Sequence, residues 1–182
     1  AATGLGYGAA SYQATVCASD TRGWNQPTSV GASDFVSQIT QWSLDNWGED
    51  VLANRRGGAI YYWKTTVGTA PRAVLVTNSP TTVNSIVVSP NDRHLIALGT
   101  NEFGTTASPS GTYNPMVVRW SDQEDYTNWT PAINSTSGEV IIADGTKIVG
   151  ARRSRNAINI WTDNSLWSMT FVGPPFTFQF AQ

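Results

Sequence analysis

Short segments dominate this chain, and each either alternates between apolar and polar residues or is apolar for four to six residues. Period-two alternation is typical of a β-strand with one buried face, whereas a helix repeats its apolar residues every three to four positions. The single helix signal is one weak turn at 33–40. The sequence therefore predicts an all-β chain. Its nine candidate strands are 59–64, 73–77, 85–89, 94–99, 116–121, 139–143, 147–151, 157–162 and 165–172.

The polar residues of the chain agree with this assignment. Ser, Thr and Asn together number 52, while only 13% of the 182 residues are charged. Thr is β-branched and favours strands, and Ser and Asn favour turns. The net charge of −2 neither recommends nor excludes contact with nucleic acid.

An internal repeat indicates how the strands are grouped. The segments "VLANRRGGAIYYW" (51–63) and "IVGARRSRNAINIW" (148–161) share two apolar residues, an Arg pair, a turn, Ala-Ile and a closing Trp. A third segment, 87–98, keeps the apolar–turn–apolar plan without the Arg pair. Each copy precedes another apolar strand, so we predict antiparallel β-meander blades of a β-propeller, complete or incomplete. An open β-sandwich would produce the same repeat.

The chain is short for a propeller. At roughly 40–45 residues a blade, it supplies about four blades, and open sheet edges tend to pair with neighbours. We therefore predict an N-terminal extended arm or linker over 1–32, and propeller-like blades over 33–182 that belong to a longer chain. The stretch 101–115 is rich in Gly, Pro, Ser and Thr, which predicts a loop inserted between two strands of the middle blade.

Three carboxylates lie between two tryptophans in "MVVRWSDQEDYTNWTP" (116–131). Acid–base catalysis would need carboxylates on facing elements with a cleft between them, and a cation site would need converging oxygen ligands. An Asp directly after a strand most commonly accepts backbone N–H groups in a turn. We therefore predict a structural corner, and a cation site and a catalytic site are the two alternatives. The carboxylates are those of Asp122, Glu124 and Asp125.

Other chemistry-bearing residues are few. The only cysteine is Cys17 and the only histidine is His94, so neither a thiolate zinc cluster nor a multi-histidine site can form within one chain. His94 shares a strand face with Ile96 and Leu98, which favours a packed or hydrogen-bonded residue over a catalytic base. We predict no cofactor, no metal and no enzymatic activity. No apolar run approaches the roughly 20 residues that span a bilayer, so we expect no membrane anchor.

Two turns concentrate five of the eleven basic residues. The repeat treats these turns as equivalent, and arginine turns stacked around a ring would line a channel and meet phosphates without reading sequence. Solvated turns, or salt bridges to a neighbouring subunit, are the alternatives. The candidate channel or subunit contacts are Arg55, Arg56, Arg152, Arg153 and Arg155.

Three pieces of the sequence carry a resemblance to a known family. They are W-S-L-D-N-W-G-E-D (42–50), R-W-S-D-x-E-x-Y-x-x-W-x-P (119–131) and F-V-G-P-P-F (171–176). The chain resembles structural tail proteins of tailed bacteriophages, specifically the propeller-bearing nozzle or hub proteins similar to tail tubular protein B and the phage stabilisation proteins. Members of that family are typically several times longer than this chain.

The resemblance implies a place in the virion, in the phage tail, for a protein made in the host bacterial cytoplasm. It also implies a ring of identical subunits, commonly six, next to other tail and adaptor proteins. The genome would leave through the lumen of this ring with at most transient, non-specific DNA contact. No catalytic residues carry over from the family.

A propeller that binds a glycan or receptor, in a phage tail or a lectin, is the rival function. Such a protein would expose a shallow pocket lined by Trp or Tyr with nearby Asp or Asn. Trp24, Trp47 and Tyr113 are the candidate lining residues.

Overall fold

A computed structural model describes residues 41–67 and 72–182, and twelve β-strands make up nearly all of their regular structure. The strands are β1 (Trp42–Trp47), β2 (Asp50–Arg55), β3 (Ile60–Trp63), β4 (Val74–Leu75), β5 (Val83–Val88), β6 (Leu95–Phe103), β7 (Ser110–Trp120), β8 (Gly138–Ile141), β9 (Ile148–Arg153), β10 (Ile158–Thr162), β11 (Leu166–Gly173) and β12 (Thr177–Ala181). One 3-10 turn lies within these ranges, Thr65–Val67, and it follows β3. The predicted arm at 1–32 and the predicted helical turn at 33–40 lie outside the described residues.

The strands form three four-stranded sheets within the described part of the chain. The first sheet has the order β1-β2-β3-β4, the second β5-β6-β7-β8 and the third β9-β10-β11-β12. Every pair of neighbours is antiparallel and adjacent in sequence, so each sheet is a meander. The prediction of an all-β chain built from antiparallel meanders is confirmed. None of these three sheets closes on itself.

The second sheet packs on both of its faces. Ile86 and Val88 lie in one hydrophobic cluster with Leu52 and Ile60 of the first sheet. Val87 points the other way, into a second cluster with residues of the third sheet. The β6 residues that alternate between the two clusters are Leu95, Ile96, Ala97 and Leu98. Because successive strand side chains point to opposite faces, a sheet covered on both sides needs apolar residues at consecutive positions.

The first strands of the first two sheets run side by side in the same direction. The hydroxyl group of Ser43 donates to the carbonyl oxygen of Ile86 (3.0 Å) and accepts the amide of the same residue (3.2 Å). Two residues further along both strands, Asp45 accepts the amide of Val88 at 2.7 Å. Side chains of β1 therefore satisfy backbone groups of β5, which lies in a different sheet.

The stretch 101–115 is mostly strand, so its prediction as an inserted loop was wrong. β6 continues to Phe103 and β7 begins at Ser110, which leaves a turn of only six residues between them. The polar composition misled the prediction because this end of the hairpin is a partly exposed ribbon, stabilised by side-chain hydrogen bonds. Asn101 donates to the carbonyl of Gly111 (3.0 Å), and Asn114 donates to Glu102 (2.8 Å).

One glycine is required by the second sheet. The β6–β7 register shifts between Leu98 and Thr100, and Gly99 between them has a φ of +57°. A Cβ atom at Gly99 would lie 2.5 Å from the side-chain nitrogen of Asn84. Both the positive φ and the close approach favour glycine at this bulge.

Truncation of Ile160 tests the interface between the second and third sheets. Its side chain is completely buried in the cluster between them, so Ile160→Ala should lower the free energy of unfolding by about 2–5 kcal/mol. Ile141 is 55% exposed at the end of β8, and Ile141→Ala should change the same quantity by less than about 1 kcal/mol. Urea unfolding of the two variants measures both. Equal losses would contradict the described packing.

Candidate functional site

The first strands of the three described sheets line one groove of about 500 Å³. Arg152 and Arg153 reach it from β9, and Arg153 forms an ion pair with Asp45 of β1 at 3.0 Å. This pair connects the first and third sheets across the second. The other lining residues are Trp42, Ser43, Leu44, Ser85, Ile86, Val87, Gly150 and Ala151.

The two arginine turns occupy different places in their sheets, so their predicted equivalence was wrong. Arg55 ends β2 and Arg56 follows it, in the second hairpin of the first sheet. Arg152 and Arg153 end β9, and Arg155 is exposed in the first hairpin of the third sheet. Successive turns of a meander lie at opposite ends of its strands. The sequence repeat aligned the second hairpin of the first sheet with the first hairpin of the third sheet. Of the five candidate arginines, only Arg152 and Arg153 line the groove.

The segment that contains Asp122, Glu124 and Asp125 is called the acidic corner here, and its three carboxylates do not converge on a common point. Asp125 accepts the amide (2.8 Å) and the hydroxyl (2.6 Å) of Thr127, and Glu124 forms an exposed ion pair with Arg93 at 2.9 Å. Asp122 has a separate set of donors, from Gln123, Asn128 and Thr136. Among residues 41–67 and 72–182, no group of three His, Cys, Asp or Glu side chains is placed to hold a metal ion.

Asp122 anchors the connection between β7 and β8. One carboxylate oxygen accepts the amide of Gln123 (2.9 Å) and both the amide (2.8 Å) and hydroxyl (2.6 Å) of Thr136. The other oxygen accepts the side-chain amide of Asn128 at 3.0 Å. Burial alone would raise the pKa of Asp122, but the hydrogen bonds from Thr136 and Gln123 hold it below the ordinary value. The predicted role, an Asp that accepts backbone N–H groups after a strand, is confirmed.

A line of buried polar groups continues from Thr136 into the β5–β6 turn. The ring of His94 is completely buried, with Nε2 at 3.0 Å from the hydroxyl of Thr136 and Nδ1 against the carboxylate of Asp92. Asp92 also accepts the hydroxyl of Ser89. Phe171 and Phe178 of the third sheet pack on the imidazole, with ring centroids at 5.6 and 5.1 Å. His94 is thus a packed and hydrogen-bonded residue, as predicted.

The row Asp92, His94 and Thr136 has the composition of a nucleophilic triad, but its hydroxyl is engaged elsewhere. A nucleophilic hydroxyl must give its proton to the imidazole and must reach a substrate. Here the Thr136 hydroxyl donates to Asp122, which as a carboxylate can only accept. His94 has no exposed surface. The arrangement favours a structural role for these three residues over a catalytic one.

Arg119 is a buried cation that the sequence analysis did not single out. Its guanidinium donates to the carbonyl oxygens of Asn101 (3.2 Å), Pro109 (3.1 Å) and Trp129 (3.1 Å). Burial lowers the pKa of Arg119, and the charge of Glu139 opposes that shift. Arg119 joins both strands of the β6–β7 ribbon to the acidic corner. Nothing in the alternation of "MVVRW" distinguishes this arginine from one that faces solvent.

Of the three aromatic residues expected to line a glycan pocket, only Tyr113 is exposed in the described structure. Trp47 is 8% exposed and packs edge-on against Tyr126 at 5.3 Å, so its predicted pocket role was wrong. Trp24 lies outside the described residues. Tyr113 is 41% exposed on β7, and its hydroxyl accepts the side-chain amide of Asn84 at 3.0 Å.

Comparisons with known proteins identify no relative. Neither a scan against protein-family models nor a search of curated proteins found a match to this chain. Residues 41–67 and 72–182 contain no helix with the length and hydropathy that a bilayer crossing requires.

Replacement of Asp122 tests the acidic corner. Asp122→Asn removes the charge and replaces one carboxylate oxygen with an NH2 group, so either Asn128 or the donors of Thr136 and Gln123 lose their acceptor. The free energy of unfolding at pH 7 should fall by about 1–3 kcal/mol. The folded-state pKa of Asp122 is depressed, so its contribution is present above the unfolded-state pKa of about 3.9. That contribution is lost as the pH falls through the folded-state value, so the difference between variant and parent should shrink below about pH 4.

Urea unfolding at pH 7 and pH 3 measures this difference, and Glu124→Gln is the control. The exposed pair of Glu124 with Arg93 should contribute less than about 1 kcal/mol. A constant effect of Asp122→Asn across this pH range would contradict the assignment of Asp122 as an ionised anchor.

Proposed function

We propose that this chain is a β-propeller part of a non-enzymatic structural protein of the phage-tail nozzle or hub type. In this proposal copies of the protein assemble into a ring, and the ring is part of the conduit through which the genome leaves the virion. Three features support the proposal: the motifs that resemble such proteins, the three stacked meanders, and a polar corner whose acids serve as structural anchors.

The observation that carries the proposal is the alignment of β1, β5 and β9 along one groove. In a propeller, sheets of four strands pack face to face around a central channel, and each sheet presents one edge to that channel. The first strand of each described sheet lies along the groove, and the second sheet is packed on both faces, and both features support such an architecture. An open sandwich has two sheets and would leave the second sheet with one free face.

The outer face of the first sheet carries exposed apolar residues, which favours the packing of a further sheet against it. The strand register places Leu44, Ala53, Tyr61 and Leu75 in one row on that face. Leu44 is 66% exposed and Leu75 is 49% exposed. Apolar residues on a sheet face stabilise the structure only when another layer covers them. Another copy of the chain, or sheets from a longer product, would supply that layer.

The assembly part of the proposal is tested with purified protein. Native mass spectrometry should detect a closed oligomer, and negative-stain electron microscopy should show rings with a central opening. Leu75→Lys places a charge on the outer face and away from the groove, and it should lower the fraction of oligomer. Ile141→Lys, at an exposed position on another sheet, is the matched control. A monomer at all accessible concentrations would overturn the ring.

The conduit part is tested by charge reversal in the virion. Arg152 lies in the groove, so Arg152→Glu should reduce DNA release or particle formation, on the order of tenfold. Lys147 is exposed in the connection before β9 and is absent from the groove lining, so Lys147→Glu makes the same change in charge away from the groove. Titres and ejection assays measure both variants. Equal titres for Arg152→Glu and the parent would contradict a conduit role for the groove.

A glycan- or receptor-binding propeller is the second candidate, and exposed Tyr113 beside Asn84 favours it. An aromatic face next to an amide suits the apolar and hydroxyl surfaces of a sugar ring. If this function holds, Tyr113→Ala should abolish binding in a glycan array. Phe176→Ala, at an aromatic side chain that is 78% exposed, should leave binding unchanged. No binding by the parent protein would remove this candidate.

A further inference from the structure

The hydrogen atoms around His94 can be assigned by counting donors and acceptors. Thr136 has one hydroxyl hydrogen, and its oxygen lies 2.6 Å from Asp122 and 3.0 Å from Nε2 of His94. Asp122 is held ionised by its hydrogen bonds and carries no hydrogen to give. The Thr136 hydrogen therefore points to Asp122. Nε2 must carry a hydrogen of its own, because two facing acceptors would repel each other.

The other ring nitrogen faces Asp92. Nδ1 lies against one carboxylate oxygen of Asp92, so one hydrogen must occupy the space between them. The second oxygen of Asp92 accepts the hydroxyl of Ser89. A hydrogen bond donated to a carboxylate favours its charged form, so the shared hydrogen belongs to the ring. By this count of hydrogen bonds, each ring nitrogen faces an acceptor.

We propose that His94 is held as a doubly protonated imidazolium between Asp92 and Thr136, and that this cation fastens the β7–β8 connection to the β5–β6 turn. Asp92 belongs to that turn, and Thr136 belongs to the connection, two residues before β8 begins. A buried charge is tolerated only when it is paired, and Asp92 supplies the opposite charge.

The surroundings of the ring contain no competing charge among the described residues that contact it. The β5–β6 turn contributes Asp92, and the connection contributes Thr136 with Asp122 behind it. The strands β11 and β12 contribute only the rings of Phe171 and Phe178. The exposed pair of Arg93 and Glu124 lies on the same two segments but makes no described contact with the imidazole.

Nitrogen-15 NMR of the ring tests the protonation state. His94 is the only histidine, so its two ring nitrogens give the only imidazole signals of the chain. At pH 7 both should show a one-bond coupling to hydrogen. A ring with hydrogen at only one nitrogen would overturn the proposal.

A matched pair of variants tests the fastening. Thr136→Val keeps the shape of the side chain and removes the hydroxyl. The backbone amide of Gln123 also donates to that hydroxyl, at 2.9 Å. In this variant the Nε2 hydrogen of His94 and the Gln123 amide hydrogen should exchange with water at least about tenfold faster. Thr136→Ser keeps the hydroxyl and should retain slow exchange. Unchanged exchange in Thr136→Val would refute the fastening. If that variant does not fold, faster exchange in Thr136→Ser than in the parent is the refuting result.

Discussion

Burial of both faces of the second sheet is the constraint on which the rest of the described structure depends. The strands β5 and β6 carry apolar side chains at consecutive positions, and each face needs its own covering sheet. The first and third sheets supply those covers, and their first strands come to lie beside β5 as a result. The groove, the Asp45–Arg153 ion pair and the order of the sheets all follow from this stacking.

Polar side chains provide hydrogen bonds to backbone groups, which the apolar clusters cannot provide. The connection between β7 and β8 would leave many backbone groups without partners, and an unpartnered buried group costs about as much as a lost hydrogen bond. Asp122 accepts the backbone amide of Thr136, and Arg119 donates to the carbonyl oxygen of Trp129, both in this connection. Arg119 also donates to the carbonyl oxygen of Asn101 in β6. The acidic residues of this corner therefore hold the β7–β8 connection in place. This role supports a structural function for the protein.

The alternation of apolar residues was sufficient to predict an all-β chain and its meanders, but three strands escaped it. In β1, Ser43 and Asp45 point inward to bond the backbone of β5, so the inward positions are polar and no apolar run exists. In β2 the buried Asn54 plays a similar part, donating to carbonyl oxygens of the following turn. The strand β12 is only five residues long and follows two prolines, which are typical of a loop.

In the candidate site, too, the sequence predicted local roles but not partners that are distant in the chain. The role of Asp122 followed from its place after a strand, because that preference is local. The partners of His94 and Arg119 lie up to 42 residues away, and no spacing rule connects them. The arginine repeat failed for a related reason: hairpins with similar sequences occur at either position of a meander, and only the strand pairing tells them apart.

Because every strand pairs with its neighbour in sequence, each described sheet is complete within a short length of chain. The first sheet ends at Leu75 and the second at Ile141, so both can form while later residues are still being synthesised. A second sheet formed before the third is synthesised would have one apolar face uncovered. Premature association with other nascent chains would be most harmful in that interval.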